Sequence, residues 1–168
     1  MAVDICKRQQ AKLTLLHIVD NMYYMTAIDA NAAFVPSLET AESEYIKSNR
    51  ENLEESAKEL SRKFKIDIDT IVEMGNPADT ICKVASKNNF DLIVMGTHGA
   101  SGLREFFMGS TAFQVVKNSQ CPVLTIPGNW NRTEFKKVIF PIRMLPGAID
   151  KYDYARPIVE KIIQAYIL

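Results

Sequence analysis

Short apolar segments that alternate with helix-like stretches place the strongest constraint on how this chain can fold. Residues 13–19, LTLLHIV, form an almost unbroken apolar run, as expected of a parallel strand that is buried on both faces. Further strands are predicted at residues 66–72, 91–95 and 122–126, where the sequence alternates or forms a short apolar run. Helical patterns separate these segments. The sequence therefore predicts an α/β domain with a mostly parallel sheet and helices on both of its faces.

The predicted helices have recognisable starts and faces. Ser37 is the expected N-cap of a long helix that reaches about Lys65 and has mixed charges on its solvated faces. Its expected apolar face consists of Leu38, Ala41, Tyr45, Leu53, Ala57, Leu60 and Phe64. Asn76 and Pro77 predict the cap and first turn of a second helix, and another helix is expected after Gly109. Residues 1–10 have helical spacing but no start signal.

Composition excludes several broad classes of function. The chain has 168 residues, with 47% hydrophobic and 24% charged, which predicts one soluble globular domain. Twenty basic and twenty acidic residues cancel, which argues against nucleic acid as the main partner. The three cysteines and two histidines are too scattered for a metal site, so we expect reduced thiols. Because we find neither a membrane-length apolar run nor a signal peptide, we expect a cytoplasmic protein with no membrane partner.

The loop MGTHGASGLREFFMGST, residues 95–111, is the main candidate for chemistry. Gly96 and Gly99 would let the backbone approach a ligand and adopt positive φ, while Gly109 and Ser110 open a helix whose N-terminus attracts anions. The loop has neither GxxxxGK[ST] nor GxGxxG, although Gly99 to Gly102 satisfies the GxxG of an RNA-binding KH loop. Spacing alone leaves a phosphate-binding loop and a structural turn equally open.

The loop and its surroundings resemble the universal stress protein family. MGTHG followed by a spacer and Gly109-Ser110 fits the family pattern G-x2-G-x9-G-[ST]. The segments EMGNPADTICKVASKNNFDLIVMGTHG and QVVKNSQCPVLTIP agree with it, and the resemblance covers residues 1–127. It implies a flavodoxin-like fold, of the adenine nucleotide α-hydrolase type: a three-layer sandwich with a mostly parallel sheet. It also implies frequent homodimers and, in many members, ATP binding.

By position, the resemblance implies a nucleotide site but no catalytic residues. Ribose and phosphates would be held by backbone N–H groups and the serine hydroxyl of Gly96, Gly99, Gly109, Ser110 and Thr111. Met95 would lie near the ribose, and Ile18 would contact the adenine. The expected cofactor is ATP, with or without magnesium, and no protein metal site is expected. His98 is interpreted as a residue that fixes the loop, and His17 as a core or strand-end residue.

The two ends of the chain depart from the family pattern. A complete family domain begins with a strand and an aspartate-bearing loop before its first helix, and residues 1–127 lack them. Residues 128–137 are polar and read as a linker, and 138–168 resemble the opening strand and helix of another such domain. We interpret the chain as part of a tandem protein. Since the first strand of a flavodoxin-like sheet is central, we hypothesise that Val138–Ile142 fills that place, within the chain or by exchange between two chains.

Three functions are consistent with these features. The leading one is an ATP-binding regulatory or stress-response module that is not a dedicated enzyme, since no base, nucleophile or metal cluster is visible. Nucleotide binding is expected to be weakened, because Arg143 stands where the family would have an acceptor aspartate. The alternatives are a dimerisation module that does not bind nucleotide and, less well supported, an RNA-binding domain that uses the GxxG loop.

Overall fold

The computed structural model describes residues 1–21, 38–97 and 108–128, and a few positions beyond them: 139, 141, 146, 152–153 and 155–157. For residues 38–42 it describes the backbone only. The helices and strands of this part are α1 (Ala2–Gln9), β1 (Leu13–Val19), α2 (Leu38–Phe64), β2 (Ile68–Met74), α3 (Pro77–Lys87), β3 (Ile93–Gly96), α4 (Ser110–Asn118) and β4 (Val123–Ile126). The predicted elements in these ranges are confirmed, with ends displaced by a few residues. The predicted cap at Ser37 lies outside the described residues.

The chain forms two compact units. One consists of Met1–Ala11 with Asn129–Leu168, and the other is Lys12–Gly128. In the first unit, the terminal ammonium group of Met1 pairs with Asp4 at 2.9 Å. At the other end of α1 the side-chain amide of Gln9 donates to the carbonyl of Pro157 at 2.7 Å. The helix therefore begins without a side-chain cap, as its sequence predicts, and is held by contacts at both ends.

The four strands of the second unit form two separate parallel pairs. Every residue of β1 has a partner in β2, from Leu13 opposite Ile68 to Val19 opposite Met74. β3 pairs in the same way with β4, from Ile93 opposite Val123 to Gly96 opposite Ile126. No hydrogen-bonded ladder joins β1 or β2 to β3 or β4 among the described residues. The predicted parallel pairing is thus confirmed within each of the two pairs.

Helices cover and connect the two pairs. α2 packs against β2 and β1, while α3 packs against β1 and α4, and α4 contacts β4. The buried hydrophobic side chains among the described residues are small ones: Val19, Ala57, Ala78, Val84, Ala85, Ala112 and Val115. Of these, Ala78, Val84 and Ala85 belong to α3 and Ala112 and Val115 to α4, two helices that pack on each other. α3 therefore carries the chain from the first strand pair to the second.

The prediction that residues 13–19 are buried on both faces is wrong for most of the strand. Only Val19 is buried, at 3% exposure, and His17 is exposed, which also excludes its interpretation as a core residue. The remaining residues of β1 are half-buried. Among the described residues β1 pairs with a strand on one edge only, so its apolar side chains have a strand neighbour on one side.

α3 begins and ends with side-chain and backbone caps that its sequence encodes. The side-chain oxygen of Asn76 accepts a hydrogen bond from the Asp79 N–H at 3.2 Å, and Pro77 occupies the first helical position. At the other end, Asn89 has φ of 52° and the Phe90 N–H donates to the Ala85 carbonyl at 3.0 Å. This is a Schellman ending, so the predicted helix boundaries have a direct structural cause.

Replacing the cap residue should destabilise the domain. We expect Asn76→Ala to lower the free energy of unfolding by about 0.5–2 kcal/mol, because the Asp79 N–H loses its acceptor. The thermal midpoint should fall by about 2–4 °C per kcal/mol in a domain of this size. Asn76→Asp is the matched control, since it keeps the accepting oxygen. Equal stability of Asn76→Ala and Asn76→Asp in calorimetry would contradict a stabilising role for the Asn76 cap.

Candidate functional site

The carboxyl ends of β1 and β2 are joined by a glycine that no other residue could replace without strain. The Gly75 N–H donates to the Val19 carbonyl at 3.0 Å, directly after the last pair of the ladder. Gly75 has φ of 147°, and a Cβ placed there would lie 2.6 Å from Thr80 Oγ1. Gly75 is not among the residues that the sequence singles out. Its position between a strand and the Asn76-Pro77 helix start is the signal that could have identified it.

The carboxyl end of β3 is connected to the start of α4. The Thr97 N–H donates to the Ile126 carbonyl at 3.0 Å, and the Gly109 N–H donates to the Thr97 carbonyl at 2.7 Å. The N-terminus of α4 is therefore fixed beside the end of the β3–β4 pair, although residues 98–107 separate the two in sequence. The carbonyl of Gly109 accepts the first helical hydrogen bond, from the Phe113 N–H at 2.9 Å.

The first turn of α4 has backbone donors without helical acceptors. Gly109 is the N-cap and provides no side-chain hydrogen bond. The N–H groups of Ser110, Thr111 and Ala112 precede the first carbonyl of the helical ladder, so they have no partner within the helix. With the positive end of the helix dipole, they form an arrangement that favours an anion. Ser110 is exposed and Thr111 half-buried, so one hydroxyl is accessible at this position.

The structure brings together part of the predicted site. Five predicted residues lie on β3 or at the start of α4: Met95, Gly96, Gly109, Ser110 and Thr111. Ile18 lies on β1 opposite Glu73, which places it in the other strand pair. Gly99 and His98 lie outside the described residues. Among the described residues, the predicted site is therefore split between the β1–β2 pair, which contains Ile18, and the β3–β4 pair.

The prediction that Gly96 adopts positive φ is wrong. This residue is the last of β3 and pairs with Ile126, so its backbone is extended. Among the described glycines, Gly75 alone has positive φ. The extended geometry of a parallel ladder keeps φ negative, which removes the conformational need for glycine at position 96. Gly96 is exposed, and close approach of a ligand there stays a prediction.

Titratable groups in the described part of the chain form no metal-binding cluster, and its cysteines are not activated. No group of three His, Cys, Asp or Glu residues in that part could hold a metal ion. Cys6, Cys82 and Cys121 are half-buried thiols, none of them in a disulfide. Burial is the main cause that raises the pKa of each thiol, with Asp79 adding to the effect at Cys82. These cysteines are therefore neutral thiols at physiological pH rather than activated nucleophiles.

Comparison with known proteins identifies the class. A model of the universal stress protein family matches residues 1–127, so the chain belongs to that family. It is 34% identical over 127 residues to the universal stress protein YxiE of Bacillus subtilis, covering 74% of this chain and 85% of that protein. The universal stress protein MJ0531 of Methanocaldococcus jannaschii is 31% identical over 125 residues, covering 74% of this chain and 70% of the other.

The solved structures agree with the fold. The universal stress protein UspA from Lactobacillus plantarum is 28% identical and superposes with a TM-score of 0.57, covering 74% of this chain and 83% of that one. The predicted fold class, a flavodoxin-like α/β sandwich with parallel strands, is confirmed. No helix in the described ranges combines the length and apolarity needed to span a membrane.

A substitution at Gly75 tests whether the backbone there requires glycine. We expect Gly75→Ala to cost about 1–3 kcal/mol of folding free energy, because an alanine at φ of 147° is strained and its Cβ meets Thr80. Gly128→Ala is the matched control, since a Cβ there meets nothing within 4 Å. Urea unfolding of both variants measures the difference. Equal stability of the Gly75→Ala and Gly128→Ala proteins would contradict the strain expected at position 75.

Raised thiol pKa values predict slow alkylation. At pH 7.5 the cysteines of the folded protein should react with iodoacetamide more slowly than those of the urea-denatured protein. Because burial raises each pKa above the ordinary 9.0, the thiolate fraction at this pH is reduced. The rate should continue to rise as pH increases beyond 9.0. Mass spectrometry of each cysteine peptide provides the rates, and a plateau below pH 9 would contradict the assignment.

Proposed function

We propose that this universal stress protein domain binds an adenine nucleotide, ATP with or without magnesium, and acts as a cytoplasmic regulatory or stress-response module. The observation that carries the proposal is the hydrogen bond from Gly109 to Thr97. It holds the free N–H groups of the first turn of α4 at the carboxyl end of a parallel strand pair. Ligands of open α/β sheets bind at such ends. Membership of the family supports the same conclusion.

Each part of the nucleotide has a candidate binding group. The phosphates would accept hydrogen bonds from the N–H groups of Ser110 and Thr111 and from the exposed Ser110 hydroxyl. Gly96 and Gly99 would allow the backbone to lie against the ribose and phosphates, with Met95 beside the ribose. Ile18 would contact the adenine. Because these contacts bind ground-state nucleotide without a general base, we propose no enzymatic activity beyond slow, incidental hydrolysis.

We expect two features of this chain to weaken nucleotide binding. Ile18 belongs to the β1–β2 pair and Met95 to the β3–β4 pair, so the adenine and ribose contacts are not held by one ladder in the described residues. Arg143 follows the segment that resembles an opening family strand, and its guanidinium is a donor where an aspartate would be an acceptor. We therefore expect lower affinity than in a domain with a continuous sheet.

A second candidate function is a dimerisation module that keeps the glycine loop for structural reasons. The observation that favours it is exposed apolar surface around α4: Phe113 is 58% exposed, Val116 46% and Met108 40%. Large apolar side chains of this kind are typical of interfaces when they lie close together. Phe113 and Val116 are three residues apart, so they share one face of the helix.

Titration with ATP and magnesium distinguishes the two functions. Gly109→Glu should weaken ATP binding by at least about tenfold, because a carboxylate at the N-cap occupies the position of the phosphates and repels them. The backbone at Gly109, with φ of −58° and ψ of 151°, is accessible to any residue, so the fold should persist. Gly128→Glu adds the same charge in open space and should bind normally.

Isothermal titration calorimetry measures these affinities. Binding to the unsubstituted protein and to Gly128→Glu, with loss in Gly109→Glu, supports the nucleotide site. Absence of binding to all three proteins would favour the dimerisation module. Equal affinity of all three would place the nucleotide elsewhere on the molecule.

A further inference from the structure

A carboxylate lies beside Ile18 at the carboxyl end of the β1–β2 pair. The parallel register places Ile18 opposite Glu73, and one further pair, Val19 with Met74, ends the ladder. Neighbouring strands of a sheet are about 4.7–4.9 Å apart, and residues paired across a ladder have their side chains on the same face. The apolar side chain of Ile18 and the carboxylate of Glu73 are therefore neighbours on one face of this strand pair.

This face is the less covered one at the carboxyl end. Val19, the next residue along β1, has its side chain on the opposite face and is only 3% exposed. Ile18 is half-buried by comparison, and Glu73 is exposed, whereas Met74 on the opposite face is half-buried. A ligand at this edge of the strand pair can therefore reach both Ile18 and Glu73 from solvent.

The carboxylate of Glu73 is available to a ligand. No hydrogen bond or ion pair joins it to another residue in the part of the chain that the structure describes. Its oxygens act as acceptors only. Gly75 donates its N–H to the Val19 carbonyl at 3.0 Å and so fixes the end of the strand pair. Glu73 is thus held on a paired strand rather than on a loop, directly opposite Ile18.

An apolar side chain next to an acceptor fits the base of an adenine nucleotide. The flat face of a purine can pack against an isoleucine, and the exocyclic amine at position 6 of adenine is a hydrogen-bond donor. Guanine and hypoxanthine have a carbonyl oxygen at that position, and a carboxylate repels it. A carboxylate at this edge of the base would therefore distinguish a 6-amino purine from a 6-oxo purine.

We propose that Glu73 selects the base of the nucleotide by accepting a hydrogen bond from the exocyclic amine of adenine. The inference rests on the proposed function, in which Ile18 contacts the adenine and the start of α4 holds the phosphates. Glu73 is then a specificity-determining residue of the same site. Because Glu73 is exposed, water competes for its oxygens, so we expect a selectivity of about five- to tenfold rather than the larger factors of a buried contact.

Titration with two nucleotides that differ at position 6 tests this inference. In calorimetry with magnesium, the unsubstituted chain should bind ATP about five- to tenfold more tightly than inosine triphosphate. Glu73→Gln should bring the two affinities to within about twofold, because a side-chain amide can present its oxygen to the amine of ATP or its amide N–H to the carbonyl of inosine triphosphate. Since position 73 is exposed, this variant should fold with an unchanged thermal midpoint.

Asp69→Asn is the matched control for the change of charge. Asp69 is exposed, and the alternation of β2 places its side chain on the same face as that of Glu73, nearer the amino end of the strand. A general effect of net charge on a triphosphate cancels in the ratio of the two affinities. Asp69→Asn should therefore keep the ratio of the unsubstituted chain, whereas Glu73→Gln should lose it.

The outcomes separate this inference from the proposed function. Equal affinity of the unsubstituted chain for ATP and inosine triphosphate, or a ratio that changes in neither variant or in both, would reject the role of Glu73 while leaving the nucleotide site in place. Tighter binding of GTP or inosine triphosphate than of ATP would also reject it. If the unsubstituted chain binds no nucleotide, the proposed function fails and the inference fails with it. A ratio that is lost in Glu73→Gln alone supports the proposal.

Discussion

An apolar strand of a parallel sheet is normally hydrogen-bonded to a neighbouring strand on each edge. The structure of the second unit depends on how its four strands pair. β1 and β3 each have one neighbour in the described residues. β1 is mostly half-buried, and the buried alanines and valines of the described residues belong to the helices, apart from Val19. The same division places Ile18 and Met95 in different strand pairs.

The two carboxyl edges are organised by single backbone hydrogen bonds that involve glycines. Gly75 donates to Val19 at the end of the first pair, and Gly109 donates to Thr97 at the end of the second. These contacts serve different purposes. At Gly75 the backbone conformation itself requires glycine, whereas at Gly109 the missing side chain leaves the N-terminus of α4 uncapped and accessible. The donors presented at the start of α4 are therefore main-chain N–H groups.

Local signals explain which predictions are confirmed. The strand at residues 13–19, the Asn76-Pro77 helix start and the helix after Gly109 are specified by apolar pattern and capping residues within a few positions of each other. The glycine loop was recognisable by its spacing, and family membership followed from it. Predictions failed where the environment mattered. Gly96 is extended because it pairs with Ile126, and His17 is exposed within a strand that is otherwise half-buried or buried.

The sequence by itself determined the order of helices and strands, the parallel α/β class and the glycine positions beside the α4 N-terminus. Periodicity and capping depend on residues that are close together in sequence, so they can be recognised without knowledge of the fold. Only the tertiary structure decided that the four described strands pair as β1 with β2 and β3 with β4, that Gly75 has positive φ, and that the Gly109 N–H donates to the Thr97 carbonyl. Strand pairing joins residues distant in the chain, as β1 and β2 are joined across α2. No local pattern encodes which strands pair.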